Sequence, residues 1–310
     1  MVDSGFLSPA ELAHSFVDAG VEKSRIPIFK MIFLGILAGV YIGFASHLAT
    51  IVATGWTIGG APALFGLKKF FVGAVFSVGL MLVIIPGSEL FTGNNLMTVS
   101  FCHGRLGFGG LMRNWIPVYF SNLIGSVILA GIIASGSGLL DSAVGGTAID
   151  IGLAKISSVQ QGLNHNVAYF FRAICCNFLV CIAVMMAISA KDIAGKVWAI
   201  FFPIMAFVTS GFEHCVANMY FIPAGIFAKQ FDIAVLASKK GAAAVMASDL
   251  AVDASIAEKA EVARQAIGGL NWSGMWTQNL ISVTAGNIVG GGIFVGVVYY
   301  FLYVHGAEKK

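Results

Sequence analysis

Six long apolar runs alternate with short polar segments along the 310-residue chain, near 28–53, 70–86 with a continuation after 95, 114–135, 166–189, 197–228 and 277–304. An α-helix rises about 1.5 Å per residue, so about 20 apolar residues cross the hydrocarbon of a bilayer. The pattern therefore predicts six transmembrane helices. Two of the runs are interrupted, the second at Gly87-Ser88-Glu89-Leu90-Phe91-Thr92-Gly93-Asn94 and the fifth at Gly211-Phe212-Glu213-His214-Cys215-Val216-Ala217-Asn218. Both read G-x-E-x4-N, so one polar interruption is written twice. Backbone groups freed by such a break survive in lipid only where protein or a water-filled cavity satisfies them. Glu89 and Glu213 are expected to accept those freed N–H groups, with Asn94 and Asn218 as structural companions at the breaks.

The third and sixth runs echo each other as well. Ser121-Asn122-Leu123-Ile124-Gly125 matches Gly286-Asn287-Ile288-Val289-Gly290, among small residues that permit close helix contact. Three spans per half put the halves in opposite orientations. The expected fold is an all-α integral membrane protein, an inverted 3+3 repeat whose two interrupted helices meet at the midplane, as in transporters and aquaporin-like protomers. The first repeat is assigned to 28–136 and the second to 164–230 and 270–304, with 137–163 as a loop. Residues 231–269, Ala-rich with scattered charge, form an extramembrane insertion. Ahead of the first span, Ser8-Pro9-Ala10-Glu11 is a capping box with proline at the first helical position. Leu12, Phe16, Val17 and Val21 recur at helical spacing, so residues 1–27 carry an amphipathic helix too polar to span.

Composition agrees with this layout. A chain that is 58% hydrophobic and 11% charged, with a mean hydropathy of +0.87, is an integral membrane protein. A net charge of +3 without a basic run offers no nucleic-acid partner. The five cysteines lack paired CxxC spacing and read as small core hydrophobes, so neither a metal nor a cofactor is expected. Lysine and arginine in the short connecting segments favour both termini on the cytoplasmic side of a cell membrane. A membrane enzyme would need a nucleophile with its base or a metal set, and no H-E-x-x-H, G-x-S-x-G or paired intramembrane aspartates occur. Ionisable groups at membrane depth are functional candidates by default, and His214 is foremost among them.

The segments GSELFTGN, GFEHCVANM, the glycine-rich run that follows Asn287 and Asn177-Phe178-Leu179-Val180-Cys181 closely resemble the signatures of the formate/nitrite transporter family. The resemblance covers about 28–230 and 270–303. It implies a homopentamer of aquaporin-like protomers, each with its own pore for small monovalent weak-acid anions such as formate, nitrite, hydrosulfide or lactate. On the same resemblance His214 is the central pore histidine and Thr92 the hydroxyl that faces it. Phe76 and Phe207 would form the outer constriction, Leu80, Leu90 and Phe91 the inner one, and Asn177 and Asn287 would lie near the histidine. The family's lysine in the fourth-span region falls on Gln161 by ungapped count, or on Lys155 if a gap intervenes. With Gln161 there, anion attraction rests on helix N-termini and on amides such as Gln161 and Asn164.

Burial disfavours the charged form of an acid, and histidine titrates near neutral pH. The expected mechanism is capture of the anion in a vestibule, protonation at or near His214, neutral passage through the constrictions and exit as an anion. Formate is the first-choice substrate, protons its partner. A pore for neutral solutes such as glycerol is the competing reading.

Overall fold

The computed structural model describes residues 5–58, 61–62, 64–157, 164–247 and 255–306. Helix α1 (Pro9–Arg25) begins at a capping box in which Glu11 N–H donates to Ser8 Oγ and Ser8 N–H donates to the Glu11 carboxylate at 2.8 Å. The first repeat continues with α2 (Ile28–Ala53), a two-residue hairpin pairing Thr57–Ile58 with Ala61–Pro62, and α3 (Phe65–Phe76) with α4 (Val78–Ile84). After a break, α5 (Phe91–Asn94) and α6 (Thr98–Cys102) complete the second span, and α7 (Phe108–Gly131) is the third.

The second repeat carries α8 (Ala143–Ser157), α9 (His165–Ser189), α10 (Ile193–Ser210) and, after the second break, α11 (Cys215–Ala228). Three short helices follow, α12 (Asp232–Ala237), α13 (Lys239–Ala247) and α14 (Ile256–Ala266). The last span, Trp272–Val304, contains α15 (Trp272–Met275) and α16 (Ile281–Asn287), joined and continued by wider π-helical turns. Among the described residues six helices are long and apolar enough to cross a bilayer. The chain is thus a multi-pass membrane protein with an inverted repeat and two interrupted helices. Phe29, Phe33, Leu37 and Phe44 stand exposed along α2, an apolar surface suited to lipid or a neighbouring subunit.

Residues 137–163, expected to be a loop, contain α8. Its place in the second repeat is that of α1 in the first: each carries a lysine near its C-terminal end, Lys23 or Lys155, to the glutamate of its own break. The repeats therefore start at α1 and α8, not at 28 and 164. The insertion after α11 is tied to α8 as well, because Ser238 Oγ donates to Asp150 at 2.6 Å, and within the insertion Arg264 pairs with Asp232 at 2.5 Å.

Close helix contact is built into the repeated motif of the third and sixth spans. A Cβ at Gly125 would collide with the Ile36 carbonyl of α2, and one at Gly290 with the Ile174 carbonyl of α9. Glycine lets both backbones approach.

Candidate pore site

Each interruption turns on a glycine with positive φ, Gly87 at 90° and Gly211 at 77°, a conformation that costs other residues strain. The glutamate two residues on donates its backbone N–H to the neighbouring span, Glu89 to Leu34 O at 3.3 Å and Glu213 to Arg172 O at 3.4 Å. The next freed donor meets an asparagine: Phe91 N–H donates to Asn122 Oδ1, and Cys215 N–H to Asn287 Oδ1, both at 2.9 Å. Each amide then donates to two carbonyls, Asn122 to Gly35 and Glu89, Asn287 to Ala173 and Glu213. Two buried side chains thus satisfy the freed backbone at equivalent places.

The carboxylates behave differently from expectation. Glu89 and Glu213 accept side-chain donors, not backbone N–H groups. Glu89 takes Lys23 Nζ at 2.6 Å and Asn94 Nδ2 at 2.7 Å; Glu213 takes Lys155 Nζ at 2.8 and 2.9 Å and Asn218 Nδ2 at 2.8 Å. Asn94 also donates to Asn114, and Asn218 to Asn279, each at 2.8 Å. Both glutamates are buried, and a buried carboxylate is tolerated only when paired and hydrogen-bonded.

The two breaks differ in one residue that matters. The cap of α5 is Leu90, which makes no side-chain cap; the cap of α11 is His214, whose Nδ1 accepts Ala217 N–H at 3.0 Å. His214 Nε2 lies 2.8 Å from Thr92 Oγ1 on the opposite interrupted span, and both side chains are buried. Because Nδ1 accepts, the proton of the neutral ring sits on Nε2 and is donated to Thr92. The threonine O–H is then left to donate onward. The Thr92 carbonyl is clamped by Asn177 Nδ2 at 3.2 Å and Cys181 Sγ at 3.4 Å.

Two cavities approach this pair from opposite ends of α2. The near one, about 490 Å³, lies beside α1 and is lined by Lys23, Lys30, Leu80, Glu89 and Leu90. The far one, about 510 Å³, is lined by Phe76, Phe207, Phe221, Lys69, Lys155 and His214. Phe76 and Phe207 meet edge-on with ring centroids 5.7 Å apart, and Phe207 stacks on His214 at 5.9 Å.

The remaining sequence candidates take other places. Phe91 packs on Trp115 and Tyr119, at 5.9 and 5.0 Å between ring centroids, while Leu80 and Leu90 face the near cavity. Asn177 joins Thr92, Asn95 and Asn287, and Asn287 joins backbone to backbone; neither amide is left over for a guest. Asn164 is exposed and caps α9 by accepting Asn166 N–H. Gln161 lies outside the described residues, and it is Lys155 that reaches the Glu213 break, so a lysine does stand beside the site. Sequence reasoning missed Asn114, Asn122, Asn279, Lys23 and Phe221 as site residues. The echo of Ser121–Gly125 in Gly286–Gly290 held the signal for Asn122, since a duplicated polar residue in a membrane span needs a duplicated partner.

The sequence profile described as "Formate/nitrite transporter" matches residues 10–301. A probable formate transporter of Methanothermobacter thermautotrophicus is 40% identical over 97% of this chain and 98% of its own. The formate channel FocA of Escherichia coli K12 is 34% identical over 96% of this chain and 95% of its own. A solved pentameric formate channel with formate bound superposes with a TM-score of 0.71 at 35% identity, over 89% of this chain and 97% of its own. With the duplicated breaks, the inverted halves and a match over nearly its whole length, the chain belongs to the formate/nitrite transporter family.

Proposed function

We propose that the protein is a channel for small monovalent weak-acid anions, formate first among them, working as a homopentamer in the cell membrane with both termini in the cytoplasm. The near cavity then opens to the cytoplasm and the far cavity to the outside. The observation that carries the reading is the 2.8 Å contact between Thr92 and His214, made across two interrupted helices and between two cavities. Identity to formate channels over nearly the full chain supports the substrate, and the pentameric relative supports the assembly.

A formate anion entering the passage leaves water for a stretch lined by Phe76, Phe207, Leu80 and Leu90. Removing a carboxylate from water raises its pKa by about 3–5 units at full burial, so the guest crosses as the neutral acid. The Thr92 hydroxyl, already accepting from His214, offers its own proton to a carboxylate or carboxylic oxygen. The guest takes its proton from bulk solution by way of cavity water, because the neutral His214 ring has only its Nε2 proton to give, its loss would leave a buried imidazolate, and Nδ1, occupied by Ala217 N–H, cannot take up a replacement. Protons and formate therefore move together, and an anion of a strong acid is held back.

Flux into proteoliposomes measured side by side for formate, nitrite, hydrosulfide, lactate and glycerol tests the reading. Formate is expected to enter fastest, with a rate that rises as the pH falls. Fast glycerol entry with slow formate entry would instead make this a neutral-solute pore.

A further inference from the structure

The far cavity is walled on one side by a single stripe of α8, Thr147, Asp150, Ile151, Ala154 and Lys155, which recur at helical spacing. The last turn of this wall is fastened from behind: Tyr169 Oη donates to the Ala154 carbonyl at 2.7 Å, and Asn279 Nδ2 to that of Lys155 at 2.8 Å. The earlier turns carry Gly145 and Gly146, which weaken a helix, and these turns lean on the insertion. A Cβ at Gly145 would lie 2.7 Å from Ala234 Cβ, and one at Gly146 would lie 2.7 Å from the Ala237 carbonyl carbon and 2.9 Å from Ser238 N.

Asp150 holds the corner between α12 and α13. One of its oxygens accepts Ser238 Oγ at 2.6 Å and the other Lys239 N–H at 3.2 Å, so a carboxylate on α8 supplies the N-terminal cap of α13. Ser238 is fully buried, and the next residue, Lys239, lines the far cavity. Lys68 of α3 lines it too, and the charges of Lys239, Lys69 and Asp150 act on it. Three elements, α3, α8 and the insertion, therefore converge on one entrance, with Trp56 beside them.

The first repeat has no such junction. Aligning Lys23 with Lys155 puts Asp18 at the place of Asp150 and Gly20 at that of Gly152. Asp18 also reaches the segment after its own half-helix, but only through a surface pair with Arg105, their side chains 64% and 52% exposed. Both breaks form alike, so the added helices serve something that differs between the two sides, and what they border is the far entrance.

We propose that the insertion sets the width of the far entrance, as a size filter ahead of Phe76 and Phe207, and that Asp150 is the positioning residue that fastens it to α8. A solute the size of a small carboxylate passes; a bulkier one is turned away before it meets the aromatic pair. The inference concerns entry to the cavity, so it stands or falls apart from the identity of the acid that crosses.

The test places a thiol inside the entrance with Val72→Cys, on the cavity wall four residues after Lys68. Solubilised pentamers are treated with methyl methanethiosulfonate or with its bulkier biotin-bearing analogue, both uncharged. Labelling is read from the mass of the peptide that contains residue 72, each rate being taken relative to free cysteine. In Val72→Cys alone the small reagent should react at least about tenfold faster than the bulky one. Adding Asp150→Ala or Ser238→Ala should close that gap to about twofold, and hydrogen exchange should quicken over 143–152 and 232–247 while α1 stays unchanged. Asp150→Asn keeps an oxygen for Ser238 and should keep most of the gap, which separates a tie from a charge. Should Asp150→Ala fail to assemble, Ser238→Ala carries the test. Equal rates for the two reagents in Val72→Cys, or a gap that survives the loss of the Ser238 hydroxyl, would overturn the inference.

Discussion

At His214 the two ring nitrogens have different neighbours, Ala217 N–H at Nδ1 and Thr92 Oγ1 at Nε2. That geometry gives the imidazole an orienting role, in which it holds the threonine hydroxyl with its proton pointing away. Asparagine has the same two functions, since its oxygen is a good helix cap and its amide is a donor. His214→Asn should therefore keep formate flux within about threefold of wild type and keep the exclusion of chloride, whereas Thr92→Val should lower flux by up to about tenfold, the loss of one hydrogen bond to a neutral guest being worth about 0.5–1.5 kcal/mol. Thr92→Ser should retain it. Formate and chloride fluxes in liposomes read all three, and a His214→Asn pore that passes chloride would move the protonating step onto the imidazole.

Among the elements, α1 and α8 do equivalent work on the two breaks but in unequal surroundings. The Lys155 side chain is 19% exposed against 34% for Lys23, while their glutamates are nearly as buried as each other. Losing one partner of a buried pair strands the other charge, at about 3 kcal/mol or more; water screens the more exposed pair. Lys155→Met should thus lower the thermal midpoint of the detergent-solubilised protein more than Lys23→Met, and adding Glu213→Gln to Lys155→Met should recover part of the loss. If the double variant is no more stable than the single one, the ion pair is not what secures the break.

The spans themselves were legible because apolar length is all a bilayer asks of them. Helix α8 was not. Gly145, Gly146 and Gly152 each cost a helix about 1 kcal/mol relative to alanine, so its sequence reads as a loop. Those glycines lie against Leu140, Ala237 and Gly225, contacts that only the folded chain reveals. The capping role of Asn122 and Asn287 was hidden for a related reason: the repetition is written in the sequence, but the N–H groups they serve come from distant spans.

In the whole molecule, two cavities of similar volume, about 490 and 510 Å³, reach toward a middle that side chains close. What separates a weak-acid channel from a neutral-solute pore is how tightly that middle is shut, because a small alcohol needs width while an acid needs only brief neutrality. On the proposed reading closure turns on Phe207, which touches Phe76 across the far cavity and stacks on His214 behind it. Truncating a packed phenylalanine commonly costs about 3–5 kcal/mol through the void it leaves. Here the void adjoins a cavity that water can fill, so Phe207→Ala should fold and should exchange stability for width. Stopped-flow light scattering of liposomes should then show glycerol entry that the wild type lacks, and chloride should begin to pass beside formate. If Phe207→Ala excludes glycerol as well as the wild type does, the decisive closure lies instead at Leu80 and Leu90 on the other side of Thr92, and the aromatic pair serves only to pack α3 against α10.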